Sequence, residues 1–213
     1  IASVLSNNNK EKVEEYLAKS INFVFFLGIP LTLGVMSVAK TLVPWFLGEE
    51  FSLSVSILMT GSLLIIAKGF TDVAGVQYLI PSRNQAIFTK SVVTGAILNV
   101  VLNFILIPIC GAIGAIIASV IAEVAIAIVQ YYYVKKQINI QIFTKAYLKY
   151  IVSGVLMFLT VYVMGIFMET TIITTILQIC VGGIIYIGSL LIMKDKFLCE
   201  RLDKILRTLK IKK

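Results

Sequence analysis

The sequence predicts an all-α integral membrane protein with about six transmembrane helices. Hydrophobic residues make up 59% of its 213 positions and charged residues only 14%, and the mean hydropathy is +0.97. Soluble domains are about one quarter charged. Six mostly apolar stretches are each close to the ~20 residues that a helix needs to cross a bilayer. Lipid must therefore take the place of water around much of the surface.

Short polar connections separate the six apolar stretches. We predict transmembrane spans at residues 20–43, 52–80, 88–107, 111–134, 147–168 and 172–193. A polar linking segment, residues 1–19, precedes them with a short amphipathic helix, and a basic tail, residues 194–213, follows them. The chain begins with Ile1 rather than Met, so we expect it to be a portion of a longer protein.

The two flanking segments have the periodicity of helices that lie on a surface. In the linking segment, Val13, Leu17 and Ile21 share one helical face. In the tail, apolar residues recur at helical spacing, and Lys204 and Arg207 lie on the opposite face. Basic amphipathic helices bind anionic headgroups. We therefore predict Lys204 and Arg207 as membrane-surface anchors, with a solvated tail as the alternative.

The positive charge is concentrated outside the spans. The net charge is +8, and eight of the nineteen Lys and Arg residues follow Met193. Apart from Lys40 and Lys68, the other basic residues cluster before the first span and after the second and fourth spans. The positive-inside rule then places both chain ends in the cytoplasm, and an even number of spans agrees. Because no folded basic domain carries this charge, we predict no binding of nucleic acid.

Aromatic residues flank two of the spans. Trp45 lies near the outer end of the first span, and Tyr131 and Tyr132 lie at the inner end of the fourth. Amphipathic rings favour the depth of the lipid headgroups. We predict these three residues as membrane-surface anchors, with ligand binding as the alternative.

No catalytic or metal-binding pattern is present in the sequence. There is no histidine, no Gly-rich phosphate loop and no nucleophile motif. Cys110, Cys180 and Cys199 are far apart and lack the spacing of a metal site or a disulfide framework. We interpret them as small buried hydrophobic residues. The sequence therefore predicts no enzyme, no cofactor and no metal.

Two opposite charges lie within the second span. Lys68 and Asp72 are four residues apart, which places them on one helical face where they can pair. A charge at mid-membrane costs about 2.5 to 3.5 kcal/mol on insertion scales, and such residues usually face a bundle interior or a water-filled cavity. We predict that this pair lines a substrate or ion pathway. A packing pair without a transport role is the alternative.

Three further polar residues are candidates for the same pathway. Glu123 is the charged residue of the fourth span, with Ser119 one turn earlier on the same face. Glu123 could bind a proton or a cation, or act as a protonated packing group. Asn99 and Asn103 share a face of the third span, where buried amides commonly join helices. Contact with a sugar is the alternative role for the two amides.

A tight turn is predicted between the third and fourth spans. Pro108 and Gly111 bracket the connection, so the two spans should pair as an antiparallel hairpin. The fourth span carries a stripe of small residues that permits close helix packing. The stripe consists of Gly111, Ala115, Ala118, Ala122 and Ala125.

Several stretches together resemble the polysaccharide-transporter branch, the Wzx-like oligosaccharide flippases, of the multidrug/oligosaccharidyl-lipid/polysaccharide (MOP) flippase superfamily. The most recognisable stretch is PICGAIGAIIASVIAE, with its GAIGA turn and distal Glu123. The others are residues 3–16, FFLGIPLTLG at 25–34, LVPWFLG at 42–48 and GVQYLIP at 75–81. The resemblance covers most of residues 1–193, and the order and spacing of the motifs carry it more than any one motif does.

This resemblance implies the C-terminal portion of a two-lobed helical transporter whose N-terminal lobe is missing. The family exports oligosaccharide repeat units linked to polyprenyl pyrophosphate, by alternating access, for cell-surface polysaccharide synthesis. The implied location is a bacterial plasma (inner) membrane. The implied partners are membrane lipids, the lipid-linked oligosaccharide, the missing lobe and polysaccharide polymerase machinery. Lys68 would be the candidate residue for attracting the pyrophosphate or an acidic sugar.

Two other functions are compatible with the same residues. A multidrug or cation antiporter of the same superfamily would use cavity carboxylates for ion coupling, and Asp72 and Glu123 leave that open. A membrane scaffold or subunit without transport activity would use Lys68 and Asp72 only as a packing pair. A membrane-embedded glycosyltransferase or polymerase is disfavoured because the outer loops are short.

Overall fold

The computed structural model describes residues 10–138 and 145–201, with the side chains of residues 145–146 left aside. The described parts contain helices and no strand. A 3₁₀ turn (Glu49–Phe51) and a π-helical segment (Asp72–Leu79) accompany the α-helices, and residues 196–201 are also helical. The α-helices are α1 (Lys10–Leu47), α2 (Ser52–Gly61), α3 (Leu63–Thr71), α4 (Gln85–Cys110), α5 (Ala112–Gln137), α6 (Lys145–Phe167) and α7 (Ile172–Ile192).

Six helical stretches in the described residues are long and apolar enough to cross a membrane. Five of them are the helices α1, α4, α5, α6 and α7. The second stretch, Glu49–Leu79, joins the 3₁₀ turn, α2, α3 and the π-helical segment end to end. Large apolar side chains cover the outer surfaces of these helices, as a lipid environment requires. The predicted fold class, all-α with about six membrane helices, is confirmed.

The first helix is longer than the predicted first span. Residues from Lys10 onward form one continuous helix through to Leu47, without a break between the linking segment and the span. Val13, Leu17 and Ile21 share one face as predicted, but they are buried in the bundle core instead of facing a surface. No helix-breaking residue lies between Lys10 and Ile21, and this apolar face continues directly into the span.

The helix α1 is the central element of the bundle. It packs against α6 and α7 on one side and against α2, α3 and the π-helical segment on the other. The hairpin formed by α4 and α5 packs mainly through α5 against α2 and α3. In the apolar membrane-spanning part of each helix, 39% of α1 is buried in the protein but only 6% of α4. The α4 helix is thus the outermost wall on its side of the molecule.

The hairpin between α4 and α5 has the tight turn that the sequence predicts. The α4 helix ends at Cys110, α5 begins at Ala112, and Gly111 alone connects them with φ 57° and ψ −135°. Residues with a side chain rarely adopt this backbone conformation, which explains why a glycine occupies position 111. Ala118 and Ala122 of the predicted small-residue stripe are buried, at 0% and 5% exposure.

Polar contacts join α1 to α6 and α7. Gln178 is fully buried, donates to the Val161 carbonyl at 3.0 Å and accepts from the Thr41 hydroxyl at 2.5 Å. The Trp45 indole N–H donates to the Thr175 hydroxyl at 2.8 Å. In a membrane such interhelical bonds each contribute about 1 kcal/mol.

A second polar cluster lies where α7 leads into the tail. The Tyr150 hydroxyl lies 3.2 Å from Asn22 Oδ1 and 3.4 Å from Asp195 Oδ1. Asp195 is buried and accepts the Leu198 backbone N–H at 3.0 Å, which caps the helical residues that follow it. Lys149 donates to the Met193 carbonyl at 2.8 Å. These contacts fix the direction in which the chain leaves the bundle.

A tyrosine repairs the backbone defect that a proline introduces into α1. Pro30 lies inside this helix and has no N–H to give to the Phe26 carbonyl one turn earlier. The Tyr186 hydroxyl of α7 donates to that carbonyl at 2.8 Å. The tyrosine thus supplies from a neighbouring helix the hydrogen bond that Pro30 removes, and α1 remains continuous.

We expect Tyr186→Phe to lower the free energy of unfolding by about 1 kcal/mol, because the partly buried Phe26 carbonyl then loses its donor. Thermal unfolding of the purified protein in detergent measures this effect. In a Pro30→Ala background, the Ala N–H can satisfy the same carbonyl, so Tyr186→Phe should cost clearly less. An equal cost in both backgrounds would show that the hydroxyl acts through some other contact.

The interpretation of the cysteines as buried residues is wrong. Cys110, Cys180 and Cys199 are all exposed and none forms a disulfide. Cys110 ends α4, and Cys180 lies on an outer face of α7. A thiol behaves as a small hydrophobic group, and on a membrane helix the outward face is itself apolar, so burial in the protein is not required.

Candidate functional site

A cleft of about 820 Å³ lies between α3, the π-helical segment, α4 and α5. Four of the pathway residues predicted from the sequence line it: Lys68, Asp72, Asn99 and Glu123. They come from three separate spans of the sequence. The fold brings all four to one cleft, and their role in a substrate or ion pathway stays a prediction.

The lysine and the glutamate of the cleft form an ion pair. Lys68 Nζ lies 3.4 Å from Glu123 Oε2. The other carboxylate oxygen, Oε1, accepts a 2.6 Å hydrogen bond from the Thr71 hydroxyl. The Lys68 side chain is 65% exposed and that of Glu123 only 13%. The carboxylate is therefore firmly held, whereas the ammonium projects into the cleft.

The ion pair differs from the one that spacing along the second span suggested. Lys68 and Asp72 are one helical turn apart, but the ammonium of Lys68 pairs with Glu123 and not with Asp72. Asp72 is exposed in the cleft. A carboxylate on α5 lies closer to the ammonium than the one on its own helix, a contact that spacing along one helix cannot reveal.

A change of helix type positions the charged residues. The α3 helix ends at Thr71, and the π-helical segment begins at Asp72. π-Helical turns are wider than α-helical ones and are frequent at functional sites. Close packing accompanies the change, because a Cβ at Gly69 would lie 2.7 Å from Val24 and one at Gly75 would lie 2.8 Å from Phe88.

The asparagines form a polar ladder between α4 and α5. Asn99 donates to the Ser119 hydroxyl at 3.2 Å, and Asn103 donates to Asn99 Oδ1 at 2.9 Å. Asn99 lines the main cleft, whereas Asn103 lines a smaller neighbouring cavity with Phe104 and Pro108. Asn103 Oδ1 is buried without a hydrogen-bond partner in the described residues. The Asn99–Ser119 bond joins α4 to α5, as predicted for an amide on this face, whereas the Asn103–Asn99 bond lies within α4.

Two buried polar residues of the cleft region escaped the sequence analysis. Gln130 is fully buried at the cleft wall and donates to the Ser91 hydroxyl at 3.0 Å. Ser91 in turn donates to the Phe88 carbonyl at 2.7 Å. A signal was present, because Ser119, Glu123 and Gln130 recur at i, i+4 and i+11 along one face of α5.

The predicted membrane anchors have mixed surroundings. Trp45 is partly buried against α7, Tyr131 is partly buried against the core, and Tyr132 is exposed. The Lys136 ammonium lies 4.2 Å from the centre of the Tyr132 ring. Lys204 and Arg207 lie outside the described residues. The anchoring role of all five residues predicted for it stays a prediction.

This chain is similar to a known protein in its fold and not in its sequence. No family model and no curated protein matches the sequence. A solved structure, "Lipid II flippase MurJ, inward closed conformation", matches with a TM-score of 0.77 over 92% of this chain, at 17% identity. The fold is that of a MurJ-like helical transporter. At this identity the match shows the fold alone.

The match bears on the predicted family and on the extent of the molecule. The likeness to MurJ concerns the fold alone, so membership of the MOP superfamily and of its polysaccharide-transporter branch stays a prediction. The chain spans 43% of the length of the MurJ chain, which is less than half of that transporter.

Proposed function

We propose that this chain is part of a MOP-type flippase that exports oligosaccharide units linked to polyprenyl pyrophosphate. The observation that carries the proposal is the cleft between membrane-spanning helices, in which the Lys68 ammonium is exposed. The MurJ likeness supports it, because that protein is named as a flippase of lipid II. The function that we propose, transfer of a lipid-linked oligosaccharide between leaflets, includes no enzymatic step.

In this proposal Lys68 binds the negatively charged pyrophosphate of the substrate. A pyrophosphate is poorly soluble in lipid, so it needs a cation inside the membrane to cross it. Lysine binds phosphate groups as a point charge. The sugar part would occupy the polar surroundings of Asp72 and Asn99, while the polyprenyl tail stays in the bilayer.

A further part of the protein would close the cleft from its open side. MurJ is more than twice as long as this chain, and its remaining length has no counterpart here. In transporters built from two lobes, substrate sites lie near the bilayer midplane between the lobes, and rocking of the lobes gives alternating access. We propose that an N-terminal lobe supplies the opposite wall. The location we propose is a bacterial inner membrane, with both chain ends cytoplasmic.

Vesicles that contain the intact protein test this function directly. We expect a fluorescent oligosaccharide on polyprenyl pyrophosphate to move between leaflets faster than in protein-free vesicles. A small organic cation loaded inside the same vesicles should not be exported in exchange for protons or sodium. Export of the cation instead would favour the antiporter, which the carboxylates of Asp72 and Glu123 could serve. Movement of neither compound would favour a scaffold.

A further inference from the structure

The carboxylate that pairs with Lys68 has a more fixed position than Lys68 itself. Glu123 is held by the 2.6 Å hydrogen bond from Thr71 and is largely enclosed, with 13% of its side chain exposed. Its contact to the Lys68 ammonium is 3.4 Å long. Charge-assisted hydrogen bonds of this kind are usually about 2.7 to 2.9 Å. Of the two partners, Lys68 is the one free to turn toward another anion.

Lys68 has a single counter-ion among the described residues of the cleft. The charged side chains that line the cleft are Lys68, Asp72 and Glu123, the first two from the second span and the third from α5. The α4 wall contributes the uncharged Asn99. Asp72 lies within the cleft but makes no ion pair with Lys68. Any anion that binds Lys68 therefore competes chiefly with Glu123.

We propose that Glu123 is a built-in competitor for the substrate's anionic group, and that it sets how tightly the cleft holds that group. This rests on the proposed function, which assigns an anionic substrate to Lys68. On binding, Lys68 leaves Glu123 for the phosphate oxygens. On release, it returns to Glu123. Glu123 is thus a positioning residue, because it acts on the substrate through Lys68.

Such a competitor suits a transport site. A site that conducts its substrate must bind well enough for entry and weakly enough for exit. The distance between the Lys68 and Glu123 charges is long, and about two thirds of the Lys68 side chain is exposed. Breaking this ion pair therefore costs little free energy. A divalent pyrophosphate can overcome that cost, and the returning carboxylate then helps to expel it. Without the carboxylate, the ammonium would remain without a partner and would hold the anion for longer.

Glu123→Gln in the intact protein is the variant that tests this role. The amide keeps the shape of the side chain and can still accept from Thr71, but it no longer attracts Lys68. Farnesyl pyrophosphate, titrated calorimetrically into the protein in detergent, is the anionic probe, and farnesol corrects for partition of the tail. We expect Glu123→Gln to bind the pyrophosphate about fivefold more tightly than the natural protein.

Asp72→Asn is the matched control. It removes the same charge from the same cleft, one turn from Lys68, but breaks no ion pair. Its gain in affinity should stay below about twofold, since only a screened longer-range repulsion is lost. In a Lys68→Ala background, Glu123→Gln should give no gain, because a competitor acts only through the lysine.

Each outcome of these titrations decides the proposal. Equal or weaker binding by Glu123→Gln would overturn it, as would an equal gain in Asp72→Asn or a gain that persists without Lys68. If Lys68→Ala weakens binding while Glu123→Gln changes nothing, the anion site stands and only the competitor is wrong. If the natural protein binds farnesyl pyrophosphate no better than farnesol, the proposed function fails, and the competitor fails with it.

Discussion

Lys68→Glu is expected to reduce transport of a lipid-linked pyrophosphate by at least about tenfold. The substitution would place a third carboxylate beside Glu123 and Asp72 in the cleft. Like charges placed together cost several kcal/mol, and this repulsion acts against an anionic substrate as well. Lys68→Ala, which only removes the attraction, should cause a smaller loss. Lys68→Arg keeps the positive charge and should retain most activity.

The measurement is the initial rate of leaflet exchange in vesicles with equal amounts of folded protein. Lys40→Glu is the matched charge reversal, because Lys40 lies on α1 and donates to the Tyr162 hydroxyl at 2.8 Å, outside the cleft. It should transport at close to the natural rate. Normal transport by both Lys68→Ala and Lys68→Glu would remove Lys68 from the proposed mechanism.

The sequence predicted four of the polar residues that line the cleft, but it did not predict Thr71 or Gln130. Lys68, Asp72 and Glu123 are charged, and a charge inside a span is costly against lipid, whereas Asn99 is an amide of the kind that commonly joins membrane helices. That cost depends on residue type and on position within an apolar stretch, and both can be read from the sequence. The six membrane helices follow from the same rule, since length and hydropathy alone determine whether a helix can span.

The contacts between these residues could not be predicted in the same way. The partner of Lys68 is Glu123, which is 55 positions away in the sequence. That pairing depends on how α3 packs on α5, whereas Asp72 is one turn away on its own helix. The π-helical segment and the hydrogen bond from Tyr186 to Phe26 likewise depend on neighbouring helices. The periodicity of the sequence along one helix therefore cannot predict them.

The hairpin of α4 and α5 leaves no room for a methyl group at Gly114. A Cβ at Gly114 would lie 2.3 Å from the Leu106 carbonyl oxygen and 2.5 Å from its carbonyl carbon. Both are backbone atoms, so no side-chain rotation can relieve the clash. A Cβ at Gly95 would meet Ile126 as closely, but there the obstructing atoms belong to a flexible side chain.

We therefore expect Gly114→Ala to lower the free energy of unfolding by about 3 kcal/mol, at the upper end of overpacking effects. The two helices would have to separate along the wall that carries Asn99 and Glu123, so the cleft would widen as well. Thermal unfolding in detergent measures the loss of stability. Gly183→Ala is the matched control, because no atom lies within 4 Å of its added Cβ.

Gly183→Ala should leave stability unchanged or raise it by up to about 1 kcal/mol, since alanine favours a helix more than glycine does. The difference between the two variants then isolates the close approach of α4 and α5 from the general effect of replacing glycine in a helix. Equal unfolding temperatures would mean that the hairpin is packed more loosely than the 2.3 Å approach at Gly114 requires. A large loss confined to Gly114→Ala would establish the helix contact on which the geometry of the Lys68–Glu123 cleft depends.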